Sequence, residues 1–219
     1  TTTGTTLFNM EFTELAEEAW ERAGREMRSG YDLRTARRSL NLMTIEWANR
    51  GLNMWTIETG TITLTQGLNT YALPNDTIDL LDHVIRTQPN NSSTQSDLSI
   101  TRISVSTYAT IPNKLIQARP IQVWIQRLSG ARDSAGQLVY PKIHVWPAPD
   151  SSQTYTFVYW RLRRLQEAGN GVNGQDIPFR FLPCMVAGLA FYLAQKLPGV
   201  DGNRRLELKA DYEQQFQLD

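Results

Sequence analysis

The sequence predicts an α+β fold: a four-helix bundle formed by N- and C-terminal helical hairpins, with an inserted antiparallel β lobe. Three observations carry that expectation. Residues 181–194, FLPCMVAGLAFYLA, are uncharged and apolar on every side, as a helix is only when other elements enclose it. Residues 11–51 hold two stretches of helical periodicity. Between these ends, residues 55–162 are rich in Thr, Ile, Val, Tyr and Trp in short runs punctuated by Gly, Pro, Asn and Ser. The expected division is a discontinuous helical domain, 1–54 and 176–219, with an inserted β domain, 55–175.

The first helix is expected over 11–28, with Phe12, Leu15, Ala19, Ala23 and Met27 on one face. Its acids come early and its arginines late, which suits the helix dipole and sets up Glu18–Arg22 and Glu21–Arg25 pairs. Gly30 stops it, and Asp32 is a candidate cap for a second helix. Leu33, Ala36, Leu40, Met43 and Trp47 form the inner stripe of that helix, which ends at Gly51. Strands are expected near 61–65, 70–73, 83–87, 98–104, 121–128, 138–146 and 154–162. Gln66-Gly67 reads as a turn joining the first two, and loops 129–137 and 147–152 join the last three into an antiparallel meander. Asp176 is the expected cap of the apolar helix, with Pro178 and Pro183 near its first turns. Leu197-Pro198-Gly199 ends it, and Asp201 and Asn203 are candidate caps for a last helix.

Composition narrows the function classes. With 41% hydrophobic and 20% charged residues over 219 positions, a sizeable core can be buried. The 22 basic and 22 acidic residues balance, so no overall field grips nucleic acid or an anionic membrane. The apolar run is shorter than the roughly 20 residues a bilayer span requires. The polar lead lacks the apolar core of a signal peptide, so synthesis in a cytosol is expected. The single cysteine, Cys184, permits no internal disulfide and reads as a small buried hydrophobe. Only Lys114, Lys142, Lys196 and Lys209 are lysines among the basic residues; the rest are arginine. That skew suits a surface covered by other proteins, and a GC-rich genome produces it equally well.

Chemistry-bearing patterns are sparse. His83 and His144 lack partners at metal-ligand spacing and read as structural. No G-x-S-x-G elbow or phosphate loop is present. Gly169-x-Gly171-x-x-Gly174 matches a dinucleotide fingerprint as a string, but it runs out of a polar loop. Glu58, Asp76, Asp79 and Asp82 read as turn acids. Trp124, Trp146, Tyr155, Tyr159 and Trp160 suggest an aromatic sugar platform or, on alternating strand positions, a core. No enzyme activity, metal or cofactor is therefore expected. Two arginine clusters, Arg34, Arg37 and Arg38 and then Arg161, Arg163 and Arg164, are candidate docking points for an acidic protein surface. Loops 88–97, which includes Asn90 and Asn91, and 166–175 have no apolar anchor and are candidates for ordering by a neighbouring subunit.

The order of the pieces resembles the head-to-tail adaptor, or tail tubular A-type, proteins of short-tailed, podovirus-like bacteriophages. The resemblance runs through ARRSLNLMTIEWANRGLNMW (36–55), Thr61-Ile62-Thr63-Leu64 with Gly67, Tyr71, Leu73 and Pro74, and Tyr108-Ala109-x-Ile111-Pro112-Asn113-Lys114. It continues with Arg119-Pro120, Val145-Trp146-Pro147-Ala148-Pro149-Asp150, Ile177-Pro178-x-Arg180-Phe181, Gly188-Leu189-Ala190, Lys196 and Tyr212-Glu213. It implies a structural, non-enzymatic virion protein at the head–tail junction. It also implies a dodecameric ring below the portal, joined to tail nozzle or tail fibre proteins, that helps retain packaged DNA and lets it pass without sequence-specific binding. The alternative is a carbohydrate-binding or glycan-cleaving tail component.

Overall fold

Among the described residues, five helices and eight strands follow one another. They are α1 (Phe12–Ala23), α2 (Gly30–Asn49), β1 (Ile57–Thr63), β2 (Thr70–Ala72), β3 (Thr77–Thr87), β4 (Ser96–Ser99) and β5 (Thr101–Arg102). Then come α3 (Val105–Ala109), β6 (Gln122–Gln126), β7 (Lys142–Trp146), β8 (Tyr155–Arg163), α4 (Leu182–Ala194) and α5 (Gly202–Leu218). This computed structural model describes residues 1–218. The expected four-helix bundle with an inserted antiparallel lobe is not what forms. The fold is a mixed α+β arrangement of five helices and two four-stranded sheets, and its chain divides into two compact units. One unit comprises Thr1–Trp55 and the chain from Leu165 onward; the other comprises Thr56–Arg164.

In the helical unit, α4 is the centre. Leu182, Cys184, Met185, Val186, Ala187, Leu189, Ala190, Leu193 and Ala194 are all buried, so α4 is covered around its whole circumference. Equal antiparallel helices do not provide that cover. α1, α2 and α5 lie on α4, and the irregular segment before it adds Leu165, Ala168, Ile177 and Phe181 to the same core. Residues 165–175, expected with the β region, thus belong to the helical unit. At Gly188 the close packing is visible: a Cβ there would lie 2.4 Å from Met43 Sδ and 2.7 Å from the Tyr212 ring. Tyr212 has no room to yield, because it is buried and Trp47 Nε1 donates to its hydroxyl at 2.8 Å. Arg50 finishes this corner with a two-pronged pair to Glu213 at 3.0 and 3.1 Å and a second pair to Glu46 at 2.6 Å. Tyr192 also donates to the Glu46 carboxylate.

α1 stops at Gly24, whose φ of 103° suits a left-handed cap, so it is shorter than expected. Glu18–Arg22 forms at 2.9 Å; Glu21–Arg25 does not, because Arg25 lies beyond the helix and pairs with Asp32. Ser29 caps α2, and Asp32 sits within its first turn, buried, accepting the Arg28 amide at 3.1 Å. Asp176 does not cap α4, which follows a 3-10 turn over Phe179–Phe181. Its carboxylate accepts the Gln166 amide at 2.9 Å and its carbonyl accepts Trp55 Nε1 at 2.8 Å.

In the second unit the sheets run β1-β8-β3-β4 and β2-β7-β6-β5. Alternate residues from both, including Ile85, Val123, Ile125, Ile143, Val145, Tyr155, Phe157 and Tyr159, fill one core, as facing sheets require. The expected meander of the last three strands fails, since β6 pairs with β7 but β8 belongs to the other sheet. Likewise the turn at Gly67 carries the chain between sheets, because β1 pairs with β8 and β2 with β7. β5 runs parallel to β6, so the region is not purely antiparallel.

Two outcomes follow for stability. Gly188→Ala overpacks the α2–α4–α5 contact and should lower the unfolding free energy by about 1–3 kcal/mol in urea titrations. Gly199→Ala, with open space around it, should stay within about 0.5 kcal/mol. For Asp32, the Arg28 amide and then the Arg25 guanidinium hold the carboxyl below its usual range against the opposing effect of burial. A depressed folded pKa contributes stability that is present above the unfolded value of about 3.9 and lost as pH falls through the folded value. Thermal midpoints should therefore decline below about pH 4 in the wild type, and less steeply in Asp32→Asn.

Candidate protein-docking site

The outward residues of α2 are Tyr31, Arg34, Arg38, Leu42, Ile45 and Asn49, three and four positions apart, so they form one exposed stripe. Ser29 at the cap and Met43 and Trp47 on the inner side fix which face this is. Arg37, half-buried, stands beside Arg34 and Arg38, and the three line a pocket of about 590 Å³. The opposite wall is the segment Glu167 to Asn170 with Asn173, and Asn41 lies on the floor.

That wall is held by contacts the sequence did not disclose. Ala168 is buried and its amide donates to Asn41 Oδ1 at 2.9 Å. Gly171 and Asn173 turn their carbonyls to the start of α1, accepting the Thr13 and Phe12 amides at 3.1 and 3.0 Å. These are the donors a helix leaves unpaired at its N-terminus, and the loop satisfies them. Gly171 has to be glycine here because a Cβ would sit 2.3 Å from Thr13 Oγ1. The glycine string therefore serves close packing, and the helix N-terminus it meets is already occupied by carbonyls. The expectation that 166–175 lacks an apolar anchor is corrected: one alanine and the end of α1 supply it.

Electrostatically the pocket is basic: three arginines line it against one carboxylate, that of Glu167. Among the described residues no ion pair involves Arg34, Arg37 or Arg38. Lys196, whose ammonium points at the Thr35 carbonyl, is held below the usual lysine range by burial and then by the Arg38 charge. Three guanidiniums with free donors beside exposed Leu42 (55%) and Ile45 (57%) suit carboxylates presented on a protein surface. Leu42 and Ile45 were missed from sequence; their signal was apolar character off the inner stripe.

The second arginine cluster is divided. Arg161 and Arg163 continue the core-facing parity of Tyr155, Phe157 and Tyr159 on β8, and both are buried. Arg161 donates to Asp76 Oδ1 at 2.5 Å, Thr77 Oγ1 at 3.0 Å and Glu58 Oε2 at 2.7 Å; Arg163 Nε donates to Glu58 Oε1 at 2.6 Å. These two arginines close the end of the sandwich, so they are not available for docking. Arg164 is exposed and donates to the Ser129 carbonyl at 3.2 Å. Asn90 and Asn91 are exposed on the β3–β4 connection, which bonds to itself: the Asn90 amide donates to Gln95 Oε1 and the Gln95 amide to the Asn91 carbonyl.

The aromatics are dispersed, not aligned. Tyr155 and Tyr159 are core, Trp124 stacks on His144 at 4.5 Å, and Trp146 Nε1 donates to the Asn113 carbonyl. His144 bonds Thr70 Oγ1 and Gln126 Oε1 through its two nitrogens, and burial lowers its pKa, so it is a neutral strut of its sheet. Among the described residues no helix is long and apolar enough to cross a membrane.

The sequence profile of the family described as SU10 adaptor protein matches residues 10–219, nearly the whole chain. The chain belongs to the SU10 adaptor family. It is a phage head-to-tail adaptor, a structural component of the virion at the head–tail junction. No curated protein matches the sequence. Several residues of the adaptor resemblance now have physical roles: Asn41 holds the loop wall, Glu46, Trp47 and Arg50 lock α2 to α4 and α5, and Trp55 packs on Phe181 at 4.7 Å.

The division of the arginines is measurable. Arg161→Ala removes a buried guanidinium, leaves the buried Thr77 hydroxyl and the half-exposed Asp76 short of a donor, and should cost on the order of 2 kcal/mol in urea titrations, allowing for solvent around the acids. Arg34→Ala and Arg164→Ala should stay within about 0.5 kcal/mol. Equal effects of all three would contradict the division.

Proposed function

We propose that this adaptor acts as a non-enzymatic ring subunit seated below the portal, joining it to the tail and helping to retain packaged DNA. The carrying observation is the family match over residues 10–219. The exposed basic and apolar face of α2 agrees with it, since a ring subunit needs lateral and axial faces that other chains cover. The resemblance to podovirus-like adaptors supplies the dodecameric count, the tail nozzle or fibre as distal partner and host cytoplasm as the place of synthesis. Near-zero net charge suits a channel through which DNA passes without being gripped. Glycan binding has no comparable observation behind it, because Tyr155 and Tyr159 are core residues and Trp124 and Trp146 are engaged by neighbouring groups, so no aligned platform remains.

Light scattering on a sizing column, with the purified chain alone and mixed with its portal ring, tests this reading. Co-elution at a fixed multiple of chains per portal ring is the expected result. A chain that elutes apart from the portal at micromolar concentration would remove the junction role.

A further inference from the structure

The helical unit carries two oppositely charged helix faces that no ion pair joins among the described residues, although Glu14 accepts the Glu11 amide and Glu167 lines the same pocket as the α2 arginines. On α2 the face is Arg34 and Arg38, extended by the apolar pair Leu42 and Ile45, all exposed. On α1 the outer positions Glu14, Glu17 and Glu21 are exposed and three and four residues apart, forming an acidic stripe opposite the buried stripe of Phe12, Leu15, Ala19 and Ala23. Among the described residues, neither Glu17 nor Glu21 is in an ion pair, and no ion pair joins α1 acids to the α2 arginines. The helix dipole accounts for Glu14 alone, because its effect fades within the first turn.

We infer that the basic and apolar face of α2 docks on the acidic face of α1 in a second copy of this chain. Charge complementarity identifies the occupant: each face lacks what the other offers, and both recur on every copy. Leu42 and Ile45 supply apolar area that leaves water on contact, while the arginines fix register through forked hydrogen bonds to carboxylates. Two different patches meeting make a heterologous contact, which propagates head to tail and closes into a ring when the rotation permits. The inference deepens the ring reading by naming the lateral contact, and it rests on that reading only for the closure of the ring.

Sedimentation velocity over a concentration series tests it with exposed residues whose exchange leaves the fold intact, checked by an unchanged urea midpoint. The wild type should self-associate, less so as salt rises. Arg34→Glu with Arg38→Glu should weaken association by at least about tenfold, and Glu17→Arg with Glu21→Arg should do the same. Mixing the two doubly substituted chains should restore association, because each then offers the other a complementary face, and a chain carrying all four exchanges should associate by itself. A wild type that stays monomeric throughout the series overturns the inference, as does a pair of variants that associate like wild type or a mixture that fails to recover. Portal co-elution, measured separately, reports on the adaptor reading: portal binding without self-association would sink only the α1–α2 contact.

Discussion

The structure depends on the need to cover α4 on all sides. A helix of Leu, Val, Ala, Met and Cys with no polar face has nowhere to meet water, so every neighbour is set by the task of enclosing it. Each fully buried Leu or Val there contributes roughly 1.5–3 kcal/mol, which is why even an irregular segment is drawn in beside α1, α2 and α5. Gly188 lets α2 and α5 approach at one level, and the Trp47–Tyr212 hydrogen bond with the Arg50–Glu213 pair fastens them there. Once the inner face of α2 is committed to this core, its outer stripe of Tyr31, Arg34, Arg38, Leu42 and Ile45 is necessarily presented outward. Packing in one direction thus defines the candidate docking face in the other.

The same physical rule sorts the charged residues. A guanidinium that is buried has to be paired, and Arg161 and Arg163 are, with Glu58 brought to them by the pairing of β1 with β8 and Asp76 standing just before β3. A guanidinium left exposed with free donors costs the monomer nothing and is available to a partner, as at Arg34 and Arg38. The arginine-rich composition therefore serves two purposes: it closes the end of a sheet sandwich and it furnishes a contact face.

How far these features were legible in the sequence follows from the range of the interactions. α4 was legible because its apolar character is local and continuous. Strand positions near β2, β7 and β8 were legible from composition and alternation, but alternation reveals a face and not a partner, so the placing of β8 between β1 and β3 was hidden. The four-helix bundle follows from two terminal hairpins with apolar faces to bury, a need that carries no information on how unequal helices and a loop share the covering of α4. The roles of Arg161 and Arg163 were hidden because their carboxylate partners lie 85 to 105 positions away. The loop at 166–175 was misjudged since its hold is one alanine and two backbone carbonyls, groups without a compositional signature. Conversely, Arg34, Arg37 and Arg38 were brought together by simple helical spacing.

The most direct test is arginine-selective modification with phenylglyoxal, read by mass spectrometry on the free chain and on intact virions. In the free chain, Arg34 and Arg38 should react readily and Arg37 more slowly, while Arg161 and Arg163 stay protected. In virions the α2 arginines should become protected to the level of Arg161. If they react in the virion as fast as in the free chain, the α2 face is not covered by another protein, and the docking account is contradicted.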